Sequence, residues 1–121
     1  MTVGIVGIGL IGGSFAKSLK QNSDHRVLGA DSNPDTVAMA KMSGAVDEEL
    51  DEDGFRSCDV VLAALSPGAM IAWAEQNAGA LRGTVLVDLC GVKGALCPKI
   101  NRIAEENGFR YVGGHPMAGR E

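Results

Sequence analysis

Short runs of β-branched and other apolar residues alternate along this chain with longer segments of mixed polarity. The short runs are typical of buried strands, whereas the longer segments carry apolar residues at helical spacing, as at Ile11, Phe15 and Leu19. The predicted strands are 2–6, 26–30, 59–65, 84–89 and 110–113, and the predicted helices are 11–21, 34–43, 67–78 and 94–107. A short strand or loop is expected between the second helix and the third of these strands.

Alternating strands and helices indicate βαβ units. We therefore expect the α/β class, with a Rossmann-type doubly wound parallel sheet and helices on both faces. The residues 1–121 are enough for one domain with a single core. In such a sheet, ligands bind at the carboxyl ends of the strands, near the point where the strand order reverses.

Composition excludes several partners. The formal net charge is −4 and no cluster of lysine or arginine occurs, so no nucleic-acid or anionic-membrane surface is expected. Six of the seven residues in 47–53 are acidic, and we interpret this segment as a solvated loop. The apolar stretch 3–11 is too short to span a bilayer and follows no basic segment, which favours a cytoplasmic protein.

The cysteines do not form a metal-binding pattern. Cys58, Cys90 and Cys97 are odd in number and lack the spacing of metal ligands. We expect buried, reduced thiols and no metal site.

The first segment with chemical meaning is GIGLIG at 7–12, which falls between a predicted strand and a predicted helix. This context makes G-x-G-x-x-G a dinucleotide-binding fingerprint. Gly7 permits the tight turn, Gly9 lets the backbone approach a pyrophosphate, and Gly12 lets helix and strand pack closely. The helix N-terminus offers N–H groups and partial positive charge to the phosphates.

Asp31 follows the second predicted strand, about 20 residues after the last of these glycines. A carboxylate there accepts hydrogen bonds from the ribose hydroxyls and repels a 2′-phosphate, and Ser32 and Asn33 bring no compensating cation. NAD is therefore favoured over NADP. A helix-capping role before Asn33 and Pro34 is the alternative for Asp31.

The loop after the third long strand contains Leu65, Ser66 and Pro67. It is expected beside the cofactor, with Ser66 as a ribose or phosphate contact, although an ordinary turn before a helix explains the same residues. The candidate cofactor-binding residues are Gly7, Gly9, Leu10, Ile11, Gly12, Asp31, Ser32, Leu65, Ser66 and Pro67.

Two candidate catalytic residues, Lys93 and His115, follow the last two strands and should lie toward the nicotinamide end of such a site. As a histidine, His115 can act as an acid or a base near neutral pH. A structural histidine and a solvated lysine at a helix start are the alternatives.

Together the glycine fingerprint with Gly13 and Ser14, the segment DLCGVKG at 88–94, and GGHPMAG at 113–119 with Glu121 resemble prephenate/arogenate dehydrogenases. The resemblance covers essentially the whole chain. It implies an oxidative decarboxylation in tyrosine biosynthesis, with hydride transfer to NAD, and it gives His115 the role of polarising and deprotonating the substrate hydroxyl. The chain departs from the family pattern at Gly91, where a substrate-holding serine is common, and at Arg120, where Ser or Thr is common.

Family members continue into a helical domain that forms a homodimer and binds the substrate's carboxylates. We therefore expect that the present chain is the nucleotide-binding domain alone, with little or no turnover by itself. The small-molecule substrate is prephenate or arogenate. The alternatives are an NAD(P)-dependent reductase of the β-hydroxyacid dehydrogenase or pyrroline-carboxylate reductase type, and a non-catalytic NAD-sensing module.

Overall fold

The computed structural model describes residues 1–7, 10–22, 24–89 and 96–113, which alternate between strands and helices. The elements in chain order are β1 (Thr2–Val6), α1 (Leu10–Asn22), β2 (Arg26–Ala30), α2 (Pro34–Met42), β3 (Glu48–Glu49), α3 (Glu52–Ser57), β4 (Val60–Ala63), α4 (Pro67–Asn77), β5 (Val85–Asp88), α5 (Leu96–Asn107) and β6 (Arg110–Gly113). Every predicted strand and helix is confirmed, and the bounds of most differ from the prediction by a few residues at most.

The six strands form one sheet in the order β3-β2-β1-β4-β5-β6, and every neighbouring pair is parallel. The chain builds outward from β1 to β3, returns to the other side of β1, and builds outward again from β4 to β6. The order therefore reverses between β1 and β4. This is the Rossmann arrangement, and its reversal point is where ligands bind.

Each face of the sheet carries a buried apolar cluster, because side chains alternate between the two faces along each strand. On one face, Val3, Ile5 and Val27 pack with Ala16 of α1 and Val37 of α2. On the other face, apolar strand residues pack against α3, α4 and α5. That second cluster contains Val61, Leu86, Phe55, Met70, Ile100 and Ala104 among others. The two buried layers hold the carboxyl ends of all six strands at one edge.

The ends of α2 and α5 follow the local signals in the sequence. The side chain of Asn33 accepts a hydrogen bond from the Asp35 N–H and caps α2, whose first residue is Pro34. Gly44 and Gly108 follow α2 and α5 with φ of +81° and +75°. Residues other than glycine rarely adopt a positive φ, so a glycine follows the C-terminus of each of these helices.

The interpretation of 47–53 as a solvated loop is wrong in part. Glu48 and Glu49 pair with Leu28 and Gly29 as a sixth, edge strand, although both side chains are exposed. Asp51 accepts a hydrogen bond from Gly54 N–H at 2.7 Å and caps the short helix α3. The hydrogen bond between the Asp51 carboxylate and the Gly54 backbone N–H is a local contact that composition alone does not reveal.

Cys58 is a buried free cysteine. Its burial raises the pKa of the thiol to about 11, so the protonated form is favoured at neutral pH. The side chains of the other two cysteines lie outside the described residues. Within the part of the chain that the structure describes, no helix is both long and apolar enough to cross a membrane.

Candidate functional site

A cleft of about 460 Å³ opens at the carboxyl ends of β1, β2 and β4, at the reversal point of the sheet. The residues that line it come from these strand ends and from one face of α4. They are Val6, Gly7, Ala30, Asp31, Ser32, Leu65, Ala69, Ala72, Trp73 and Gln76. Four of the residues predicted to bind the cofactor are therefore brought together, namely Gly7, Asp31, Ser32 and Leu65.

Gly7 ends β1 in a conformation that requires glycine. Its φ is +82°, and its N–H donates to the Ala30 carbonyl at 2.8 Å. A Cβ on Gly7 would lie 2.5 Å from the Ala64 carbonyl oxygen and 3.1 Å from a Leu65 methyl carbon. The tight turn predicted for Gly7 is confirmed. Glycine is therefore required at this position by its φ and by the close approach of the chain that follows β4.

Asp31 lies directly after β2 and lines the cleft with its neighbour Ser32. Its Oδ1 accepts a hydrogen bond from the Asn33 N–H at 3.0 Å, which fixes the carboxylate beside the start of α2. Asn33, rather than Asp31, caps the helix. Asp31 thus has a local backbone contact and a position in the cleft at the same time.

The cleft presents one charged side chain among its described lining residues, the Asp31 carboxylate, and no cation. Arg26 begins β2 and pairs in register with Thr2 at the start of β1, so it lies at the opposite edge of the sheet. Its guanidinium forms an ion pair with Glu48. The electrostatics near Asp31 therefore disfavour an additional phosphate on a bound ribose.

Ser66 stands at the N-cap position of α4, exposed to solvent, and its side chain makes no capping hydrogen bond. Its hydroxyl therefore does not cap the N-terminus of α4, and Ser66 does not line the cleft either. Pro67 is the first residue of α4. The cleft contact from this loop is made by Leu65 instead.

The sequence analysis did not identify the face of α4 that lines the cleft. Ala69, Ala72, Trp73 and Gln76 recur at three- and four-residue intervals, so they share one face of the helix. This spacing was a detectable signal. The sequence alone does not show that this face borders the cleft rather than the core.

Other predicted site residues fall partly or wholly outside this description. Leu10, Ile11 and Gly12 form the first turn of α1, but their side-chain surroundings are outside the described residues. Gly9, Lys93 and His115 lie outside the described residues altogether. Lys93 and His115 remain predictions from the sequence.

A polar pair joins Asp88, the last residue of β5, to the partly buried Tyr111 of β6. The segments carrying Lys93 and His115 follow these two strands. Asp88 is fully buried, and the Tyr111 hydroxyl donates to its Oδ2 at 2.9 Å. In the sheet register, Tyr111 lies opposite Leu86, two residues before Asp88. The bond therefore runs diagonally between adjacent strands and ties their ends together.

A second cleft, of about 440 Å³, lies at the β3 edge of the sheet. Four carboxylates line it, from Glu48, Glu49, Asp51 and Asp53, against the two cations Arg26 and Lys41. This excess of negative charge repels phosphate groups. The cleft at the reversal point is therefore the better candidate for a nucleotide.

Comparison with known proteins finds similarity along most of this chain. The family model for the nucleotide-binding domain of prephenate dehydrogenase matches residues 15–121. The prephenate dehydrogenase of Bacillus subtilis is 27% identical over 98% of this chain, which corresponds to 33% of that protein. The chain thus spans about a third of the length of the curated relatives it matches.

Two solved structures share the fold over nearly the full chain. A prephenate dehydrogenase from A. aeolicus, crystallised with hydroxyphenyl propionate and NAD⁺, is 31% identical to this chain with a TM-score of 0.85. The match includes 100% of the present chain and 43% of the A. aeolicus chain. An arogenate dehydrogenase from Synechocystis is 25% identical to this chain with a TM-score of 0.87. The match includes 99% of the present chain and 42% of the Synechocystis chain.

Proposed function

Because this chain belongs to the family of prephenate dehydrogenase nucleotide-binding domains, we propose that it binds NAD(H) in the cleft between β1, β2 and β4. One observation carries the proposal. A glycine with a positive φ after β1 and a carboxylate after the adjacent strand β2 line the same cleft at the reversal point of the sheet. Rossmann domains use these two features to hold pyrophosphate and ribose.

The described residues fit such a cofactor. Gly7 makes the tight turn after β1, and α1 begins three residues later at Leu10, so the N-terminal N–H groups of that helix can bind phosphates. The Asp31 carboxylate accepts from ribose hydroxyls, as an acidic residue at this position does in NAD-binding domains. The absence of a cation among the described lining residues supports NAD over NADP.

We further propose that an enzyme carrying this domain oxidises and decarboxylates prephenate or arogenate. NAD⁺ supplies the hydride acceptor when it is bound. His115, two residues after β6, would accept a hydrogen bond from the substrate ring hydroxyl and then its proton, which favours carbonyl formation at that carbon. Lys93, in the segment after β5, would lie near the same end of the site.

The proposed enzyme is a cytoplasmic homodimer in which a further helical domain forms the dimer contact and binds the substrate carboxylates. The resemblance to the family supports this arrangement. Because those carboxylate-binding groups would come from the further domain, the present chain is expected to bind the cofactor with little or no turnover.

Calorimetric titration of this chain with NAD⁺ and NADP⁺ tests cofactor binding. We expect NAD⁺ to bind more tightly, and Asp31→Ala to weaken NAD⁺ binding about 10- to 100-fold, as for a lost charged hydrogen bond. Asp31→Asn is the matched control, because it retains an acceptor for Asn33 N–H but removes the charge that repels NADP⁺. Absence of binding at millimolar NAD⁺, or binding indifferent to Asp31, would overturn the proposal.

A further inference from the structure

Asp88, the last residue of β5, is a fully buried carboxylate to which the proposed reaction assigns no part. Among the described residues with a buried side chain, it is the only charged one. The Tyr111 hydroxyl of β6 donates a hydrogen bond to it at 2.9 Å. We propose that Asp88 and Tyr111 are positioning residues, whose hydrogen bond fixes the end of β6 from which the segment with His115 continues. This inference rests on the proposed function, because it concerns the placement of His115.

A buried carboxylate is a costly way to join two strands. Taking its charge out of water costs free energy, and hydrogen bonds within the protein return that cost only in part. Apolar side chains join the same strands at lower cost, as Leu86 does in the core beside Tyr111. A hydrogen bond has a defined length and direction, which apolar packing lacks. The polar pair therefore indicates a requirement for fixed geometry at these strand ends.

The sheet restrains the ends of β5 and β6 to different degrees. β5 lies between β4 and β6, and directly after it the Leu89 N–H donates to the Ala63 carbonyl of β4 at 2.8 Å. β6 is the outermost strand on this side of the described sheet and pairs with β5 alone. Val112 of β6 is 50% exposed. The bond from Tyr111 therefore restrains the less supported of the two strand ends.

The register shows how close this bond lies to the segment with His115. Tyr111 pairs with Leu86, whereas Asp88 pairs with Gly113, the last residue of β6. The tyrosine side chain therefore reaches forward along the sheet by two residues, about 7 Å, to the level of Gly113. His115 follows Gly113 by two residues. A shift of this strand end is therefore passed on to His115 over a short length of chain.

Kinetics of a full-length enzyme that carries this domain test the proposal. Tyr111→Phe removes the hydroxyl that donates to Asp88 and retains the ring. We expect kcat to fall about 10-fold or more, as for a misplaced catalytic group, while the Kd for NAD⁺ changes by less than about 2-fold. The cofactor affinity is spared because neither residue of the pair lines the cleft between β1, β2 and β4.

Ile100→Val is the matched control for a loss of stability. Ile100 is fully buried on α5 and belongs to the apolar cluster against which Tyr111 packs. Shortening its side chain should lower the free energy of unfolding and leave kcat unchanged, because the polar pair stays intact. All variants are compared at a temperature where each is folded, and active sites are counted by bound NAD⁺.

Further variants show whether the pair acts through His115. In a His115→Asn background, Tyr111→Phe should lower the residual kcat by less than about 2-fold, because the group to be positioned is gone. Asp88→Asn keeps an oxygen that can accept from Tyr111, so it should retain more of kcat than Asp88→Ala, which has no acceptor. If Asp88→Ala does not fold, Tyr111→Phe in the two backgrounds decides the case.

The outcomes distinguish this inference from the proposed function. If the wild type is active and His115→Asn is not, but Tyr111→Phe retains full kcat, the pair only stabilises the fold and the function stands. If Ile100→Val lowers kcat as much as Tyr111→Phe does, a general loss of stability explains both and the inference is overturned. If the wild-type enzyme oxidises neither prephenate nor arogenate with NAD⁺, both proposals fail.

Discussion

Gly7 passes so close to Ala64 that a Cβ on the glycine would lie 2.5 Å from the alanine's carbonyl oxygen. The two residues follow β1 and β4, the adjacent strands between which the sheet order reverses. Next to this contact, the Ala64 N–H donates to the Val6 carbonyl at 2.8 Å. The approach of the two strand ends therefore shapes the floor of the cleft and excludes any side chain from position 7.

Gly7→Ala is expected to destabilise the fold. The substitution adds a methyl group against a backbone carbonyl and imposes a positive φ on alanine, and each of these costs about 1–3 kcal/mol. The free energy of unfolding in urea measures the sum. Gly44→Ala separates the two terms, because Gly44 has nearly the same φ, +81° against +82°, and no atom within 4 Å of its Cβ position. Equal losses in the two variants would show that the contact with Ala64 costs nothing.

Tyr111→Phe is expected to lower the free energy of unfolding by about 1–3 kcal/mol, because it removes a donor from the fully buried Asp88 carboxylate. Urea denaturation checks the value. The same substitution in an Asp88→Ala background, which has no acceptor for the tyrosine hydroxyl, completes a double-mutant cycle. A coupling energy near zero in that cycle would contradict a stabilising bond between these two side chains.

Asp47 is expected to make the free energy of unfolding depend on pH in the acidic range. Its hydrogen bond with the Lys20 ammonium, 2.8 Å between Nζ and Oδ1, and a second from the Val27 N–H lower the pKa of the carboxyl. A lowered pKa in the folded state stabilises the protein above the unfolded pKa of about 4, and this stability is lost as the pH falls through the folded value.

Asp47→Asn should therefore cost at most about 1 kcal/mol near pH 7, since the pair is partly exposed. The difference from wild type should shrink as the pH is lowered below about 4. Urea denaturation across this range measures it, with the exposed Glu49→Gln as control. A difference that stayed constant with pH would show that the charge of Asp47 does not contribute.

His115→Asn tests the proposed catalysis in a full-length enzyme. Loss of a general base is expected to lower kcat about 10²–10⁴-fold, whereas NAD⁺ affinity should change little. His25→Asn, at the chain's other histidine, serves as control because His25 lies in the loop before β2. Retention of full function in His115→Asn would instead favour the non-catalytic, NAD-sensing alternative.

The predictions from sequence succeeded where a local signal is enough. Alternating apolar runs located the strands, and Asn33, Pro34 and Gly44 marked the ends of α2, because capping and positive φ depend on residues adjacent in the chain. Gly7 and Asp31 were placed in one site because each follows a strand of a parallel sheet, and the carboxyl ends of such strands share an edge.

Other features depend on residues far apart in sequence, and only the tertiary structure decided them. The strand pairing of Glu48 and Glu49 requires the free edge of β2. The lining of the cleft by one face of α4 requires that this helix lie beside the strand ends, and the Asp88–Tyr111 bond requires the register of β5 on β6. By itself the sequence determined the order of the elements and identified Gly7 as the glycine of a tight turn after β1. The packing of the sheet and helices determined which side chains face the cleft, because a helix face or an acidic run has the same local pattern whether it borders solvent, core or ligand.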